Sequence, residues 1–218
     1  MIGNEREDIL RDARNAANPD WITEGVDRQV SALIEYERSA TRMVCVAPLF
    51  PPGMLQTEGT ANAVVAGDAE RRGEEVDDNQ VRSIVAARMA RKEALWRSDR
   101  MQLDVFLGMR AIERTLGGLE VAIEQLRYTQ KMAALDNVTV RAIPKTDDFN
   151  PADMGPFVLY EFPVGQPIVY FEPYGSSNFA RPQAVPAQVR AVEVLEEIAM
   201  SPDEAHRGCH HTNGETTP

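Results

Sequence analysis

The sequence predicts a single α+β domain: a helical N-terminal half and a small mixed sheet of about five strands that ends in a C-terminal hairpin. Three observations predict it. Two β-prone runs, residues 41–47 and 138–143, each stop at a proline, Pro48 and Pro144, as strands do where a backbone donor is withdrawn. Residues 157–162 and 168–172 are apolar and aromatic and flank Pro163-Val164-Gly165-Gln166-Pro167, the pattern of a hairpin with a five-residue connection. The remaining long segments carry apolar residues at helical spacing, and strands and helices are mixed rather than strictly alternating.

In chain order, residues 4–17 read as a short amphipathic helix broken at Asn18-Pro19-Asp20, and residues 23–39 as a second, with Val26, Val30, Leu33 and Ile34 along one side. The strand over 41–47 follows, with Cys45 as a small apolar core residue. Pro51-Pro52-Gly53 turns the chain into a compact helix over 54–66, and residues 67–73 read as a polar loop. Asp77 or Asp78 caps a long helix reaching Trp96. A strand over 103–107, a short helix over 109–115 closed by Gly117-Gly118, and a helix over 119–135 precede the strand at 138–143. That strand is almost continuously apolar, so an internal place in the sheet is expected. A loop with Asp147, Asp148, Asn150 and Pro151 leads into the hairpin, and a last helix covers about 186–200. The chain thus divides into a lead-in (1–20), a body (21–205) and a tail (206–218).

With 218 residues, 43% hydrophobic and 26% charged, the chain can bury a sizeable core. No apolar run approaches the ~20 residues that span a bilayer. The N-terminus, residues 1–8, is too acidic and polar for a signal peptide, and two cysteines are too few for a disulfide framework, so the cytoplasm is the expected compartment. The formal charge of −11 argues against a nucleic-acid footprint. The densest basic stretch, residues 82–100, is interrupted by Glu93 and Asp99 and preceded by Glu74, Glu75, Asp77 and Asp78, which reads as a solvated helix face.

At Pro52-Gly53-Met54-Leu55-Gln56-Thr57 the chain resembles a domain of unknown function that follows the helix-turn-helix in actinobacterial Xre-family transcriptional regulators. Trp21, Glu35 and Ala40 resemble the lead-in to that motif, Ala87-Arg88-Met89-Ala90-Arg91 its Arg-x-x-Arg helix, and Gly117-Gly118 with Glu124-Gln125-Leu126 its Gly-Gly and Gln-Leu elements. Residues 137–144 resemble its Asn-Val-x-Val-x-Val-x-Pro strand, and Gly155-Pro156-Phe157 with Val169-Tyr170-Phe171-Glu172 its closing hairpin. The likeness covers residues 20–205. The chain departs from the pattern at Thr60-Ala61-Asn62-Ala63, where relatives have Tyr-Ala-Arg-Ala, at Lys92, where Gln is usual, and at Met109, where Glu is usual. Met1 falls where the helix-turn-helix would already have ended.

The resemblance implies a sensor domain that binds a small molecule or a partner protein, a second copy of the chain included, with no cofactor, no membrane and no DNA affinity of its own. The alternative is a cofactor-free cyclase or isomerase of secondary metabolism built on the same fold. The candidate ligand-binding residues are Gln56, Arg88, Arg91, Tyr170 and Glu172. Gln56 follows a turn at a helix start, where backbone N–H groups face outward, although the turn equally serves as a structural start for that helix. Arg88 and Arg91 share a helix face and suit a carboxylate or phosphate, or else an internal carboxylate such as Glu172 or Glu161. Tyr170 and Glu172 share one sheet face and Phe171 takes the other. His206, Cys209, His210 and His211 sit in a tail without a scaffold and read as adventitious metal binders at most. The body carries no His, no Gly-rich phosphate loop and no Gly-x-Ser-x-Gly, which leaves no His-activated nucleophile there.

Overall fold

A computed structural model of the chain describes residues 26–73, 77–96, 100–171, 178–201 and 204. The helix expected over 4–17, the residues of the tail and Glu172 lie outside the described residues. The elements in order are α1 (Val26–Ser39), β1 (Arg42–Ala47), a 3-10 turn (Gly53–Leu55), α2 (Glu58–Arg72) and α3 (Asp78–Arg91) with a 3-10 extension (Lys92–Leu95). Then come β2 (Gln102–Gly108), α4 (Met109–Glu113), α5 (Leu119–Ala133), β3 (Val138–Ile143), a second 3-10 turn (Pro151–Met154), β4 (Phe157–Glu161), β5 (Ile168–Phe171), β6 (Asn178–Phe179) and α6 (Val185–Ile198).

The strands form one sheet of order β3-β2-β1-β4-β5-β6. β1, β2 and β3 run parallel, with Cys45 opposite Val105 and Val105 opposite Val140, and β4, β5 and β6 are antiparallel to their neighbours. Parallel strands need crossovers, supplied here by α2 with α3 and by α4 with α5. Alternation within each strand sends Met43, Cys45, Ala47, Leu103, Val105, Leu107, Tyr160 and Tyr170 to one face, where they meet Leu33 and Tyr36 of α1, Leu55, Leu95 and Met132. Val44, Val46, Phe106, Ile143, Leu159 and Val169 take the other face, under Val185, Val192 and Leu195 of α6. The sheet is therefore the shared wall of two apolar layers.

Local chemistry fixes the helix ends. Thr57 caps α2 by accepting from the backbone N–H of Thr60 at 3.2 Å, and Asp77 with Gln80 makes a reciprocal capping box on α3. Gly117 and Gly118 turn α4 into α5 with φ of 74° and 96°, values that L side chains resist. Among the described residues no helix is long and apolar enough to cross a membrane.

Three expectations need correction. Residues 67–73 are not a loop: α2 runs through Gly67 to Arg72 and closes on Gly73 at φ 69°. One interior glycine costs only about 1 kcal/mol, and Val65 and Ala69 are buried on the helix. β3 is an edge strand, not an internal one. Its apolar residues report two covered faces, Val138 toward Met132 and Ile143 toward the α6 layer, and say nothing about its flanks. Part of the open flank is taken by Met200, whose N–H donates to the Ala142 carbonyl at 2.9 Å. The helix expected to reach Trp96 tightens to 3-10 geometry after Arg91. The two-residue β6 and the 3-10 turn at Pro151–Met154, capped by Asn150, went unpredicted.

Candidate functional site

The Pro-Gly-Met-Leu-Gln-Thr segment leaves the C-terminal end of β1 and is held from both sides. Within it, the Gln56 side-chain amide donates to the Pro51 carbonyl at 2.9 Å, closing the turn on itself. From α5, the Gln125 amide spans the turn: its Nε2 donates to the Leu55 carbonyl at 2.6 Å and its Oε1 accepts from the Thr57 N–H at 2.8 Å. Thr129, one turn on, accepts from the same Nε2 at 3.1 Å. From α3, Arg88 donates to Gln56 Oε1 at 3.4 Å, and Lys92 donates to the Gln56 carbonyl while its ammonium lies 4.5 Å from the Tyr128 ring centroid. Burial lowers the Lys92 pKa from its ordinary value. Gln56 is 4% exposed, so its amide serves the turn. Lys92, in the place where relatives carry Gln, reaches the same turn through a charge-assisted bond.

Arg91, one residue before Lys92, faces the core. Its guanidinium meets Glu37 of α1 in a fork: Nε donates to Oε2 at 2.9 Å and to Oε1 at 3.1 Å, and Nη2 donates to Oε1. The Glu37 side chain is 1% exposed, a burial that a carboxylate tolerates only when paired. Cys45 and Tyr160 share this environment. Burial, and then the charge of Glu37, raise both the thiol and the phenol above their ordinary pKa values. Among the described residues the buried Tyr160 hydroxyl has no hydrogen-bond partner. Tyr170 lies in the same apolar layer, its ring 5.2 Å from that of Phe179.

An unpartnered buried hydroxyl contributes nothing that a phenyl ring lacks. Tyr160→Phe is therefore expected to hold or raise stability, within about 1 kcal/mol. The folded chain keeps the Tyr160 and Cys45 protons where the unfolded chain has begun to release them. Stability is thus full below the ordinary values of 9.0 and 10.0 and falls as pH rises past them. Melting curves between neutral and strongly alkaline pH should show a shallower decline for Tyr160→Phe than for the parent, and equal slopes would rule this account out.

Beside the turn, a cleft opens at the C-terminal ends of β1 and β2. Leu49, Phe50, Leu107, Ile112, Ala122 and Leu126 form its walls, Thr60, Gln125 and Thr129 are its polar groups, and Arg114 stands at its mouth. The Arg114 guanidinium lies 4.4 Å from the Phe50 ring centroid. The cavity measures about 20 Å³, room for about one water. Phe50 and Leu49 are both exposed there.

Of the residues expected to form a site, Gln56 and Arg88 meet on a polar seam between α3 and the turn, Arg91 turns instead to Glu37 of α1, and Tyr170 lies in the apolar layer. Glu172, expected as an arginine partner, lies outside the described residues. Glu161, the other carboxylate considered, pairs with Arg42 at 3.2 Å instead. Sequence reasoning missed Glu37, although its spacing from Leu33, one helical turn earlier, places both on the core side of α1. Gln125 drew notice only through the family likeness. Among the described residues no group of three or more His, Cys, Asp or Glu side chains gathers to hold a metal. A family model described as a domain of unknown function (DUF5753) matches residues 30–211. No curated protein matches the chain.

Proposed function

The chain belongs to the family of domains of unknown function DUF5753, and from that premise we propose that it is an effector-binding regulatory domain, which takes a small, mainly apolar ligand with an anionic group into the cleft beside the motif turn. The supporting observation is the wiring of that turn. Gln125 fastens it to the helix that forms the cleft floor, while Arg88 and Lys92 fasten it to α3, whose Arg91 grips Glu37 on α1. A ligand that displaces the turn would load the first described helix through contiguous polar contacts, the physical substrate of coupling between sites. The composition fits as well: apolar walls with a few convergent polar groups are typical of ligand pockets, and the carboxyl ends of parallel strands are where open α/β sheets place them. The cleft as it stands holds about one water, so ligand entry requires its walls to part, Phe50 and Arg114 among them. Influence on transcription, the role implied by the likeness to Xre-type regulators, would then pass through another polypeptide or domain.

The probe is 1-anilinonaphthalene-8-sulfonate, an aromatic sulfonate of the required class, with octanoate as competitor. Expected is saturable fluorescence enhancement by the folded chain, displaced by octanoate. Arg114→Ala, which removes the cation, and Ala122→Val, which narrows the cleft by a side chain of modest size, should each weaken binding about tenfold or more; Arg114→Ala, at an exposed residue, should do so with the melting temperature retained. Enhancement that is indifferent to both substitutions would place the probe elsewhere and refute the reading.

A further inference from the structure

The α6 face of the sheet is not apolar throughout. Val44, Val46, Phe106 and Ile143 enter the apolar layer. Arg42, Asp104, Thr139 and Arg141 lie on the same face and, with Glu196 of α6, line a half-open cleft of about 170 Å³ whose lining also includes Val105 and Phe106. Asp104 lies opposite Thr139 and Phe106 opposite Arg141 in the parallel register, so the polar groups are adjacent by construction of the sheet.

Each charged group is held in place. Arg42 donates from Nε to Asp104 at 2.5 Å, from Nη1 to Glu161 at 3.2 Å and from Nη2 to Glu196 at 2.9 Å. Burial opposes its charge, yet these three carboxylates raise its pKa above the ordinary value. Arg141 donates from Nε and Nη2 to the carbonyls of Met200 and Ala199 at 3.4 and 2.7 Å, beside the C-terminal end of α6, and stacks 5.9 Å from the Phe106 ring centroid. Thr139 Oγ1 accepts from Gln102 at 3.4 Å, which leaves its proton to donate. Among the described residues, three groups retain capacity toward the cleft: the Thr139 hydroxyl proton and Arg141 Nη1 as donors on β3, and Glu196 Oε2 as acceptor on the wall across from them.

From this arrangement we infer that the cleft is a binding site for a small zwitterion, a free α-amino acid, with its carboxylate on Thr139 and Arg141 and its ammonium on Glu196. The lining holds two guanidiniums and two carboxylates, so it is neutral as a set. A ligand with one charge would desolvate groups of both signs and pair only one, whereas a zwitterion pairs both. At about 30 Å³ per water, the cleft displaces roughly five or six waters, the size of a small amino acid, and it is too small for the drug-sized ligands that fill ~300–1,000 Å³. The site lies on the opposite face of the sheet from the apolar cleft and stands or falls independently of it.

The test is calorimetric titration of the full chain with the standard free L-amino acids, followed by the N-acetyl and the amide derivatives of the best binder. Expected is saturable binding of at least one amino acid with Kd of about 10 mM or tighter, and a loss of about tenfold or more for each capped derivative. Thr139→Val and Glu196→Gln should each weaken binding about fivefold or more, with the melting temperature unchanged. Absence of saturation for every amino acid, capped derivatives that bind as well as the parent, or variants that bind as the parent does would each overturn the inference.

Discussion

Arg91→Ala is expected to lower stability by about 3–5 kcal/mol, because the substitution strands the Glu37 carboxylate in an apolar layer with its fork partner gone. Glu37 is 2% exposed and sits beside Cys45, Tyr160 and Tyr36. For a domain of this size, each 1 kcal/mol corresponds to roughly 2–4 °C, so the melting temperature should fall by about 6–20 °C. Glu37→Ala removes the carboxylate from the other side and should also destabilise. The double variant Glu37→Leu, Arg91→Leu distinguishes charge stranding from loss of packing: replacing both partners with apolar groups is expected to recover most of the loss. A double variant no more stable than Arg91→Ala would mean that shape, not charge pairing, governs this seam.

Gly108→Ala is the second large effect. A Cβ at Gly108 would lie 2.4 Å from the Pro48 carbonyl oxygen and 2.8 Å from Pro48 Cα, and the obstruction is backbone, which has no rotamer to yield. Overpacking of this kind costs about 3 kcal/mol or more, visible as a melting temperature lower by roughly 6–12 °C or as failure to accumulate folded chain. The contact holds the end of β2 against the loop that carries Leu49 and Phe50, so the variant should also lose the apolar cleft. Gly67→Ala is the internal control. Its Cβ meets nothing within 4 Å in the middle of α2, and it should gain about 0.4–1 kcal/mol. If both substitutions shift stability equally, close backbone approach is not what Gly108 provides.

How far the sequence can be read depends on whether a property is written in local pattern. The strands at 41–47 and 138–143 and the hairpin, described over 157–171, were legible because alternation and flanking prolines are local, and the Asp77 cap because its partner Gln80 is three residues away. The flank occupancy of β3 was not legible, since Val138, Val140 and Ile143 describe what lies above and below the strand and nothing describes what lies beside it. Glu37 is flanked by Glu35, Tyr36 and Arg38, a run that also fits a solvated face; its burial follows from where α1 crosses the sheet, 54 residues from its partner in sequence. The Gln56 turn was found through family likeness, but its structural role emerged only once Gln125, 68 residues beyond Thr57, was seen to span it. The polar cleft did leave a trace, polar residues at 102 and 104 and again at 139 and 141, which an alternation count of each strand face would have recovered.

The sheet order also carries a consequence for how the chain is made. β1 is the middle strand, and its β4 flank is completed by residues as far as Glu161, 119 positions beyond Arg42. At a synthesis rate of about 5–20 residues per second, roughly 6–24 s separate the emergence of the two strands. Throughout that interval the central strand offers an open row of backbone donors and acceptors beside an apolar face, the condition under which nascent chains pair with one another. Co-translational quality control should therefore act on this protein late, when the hairpin arrives, and ribosome pausing ahead of β4 should increase aggregation far more than pausing after it.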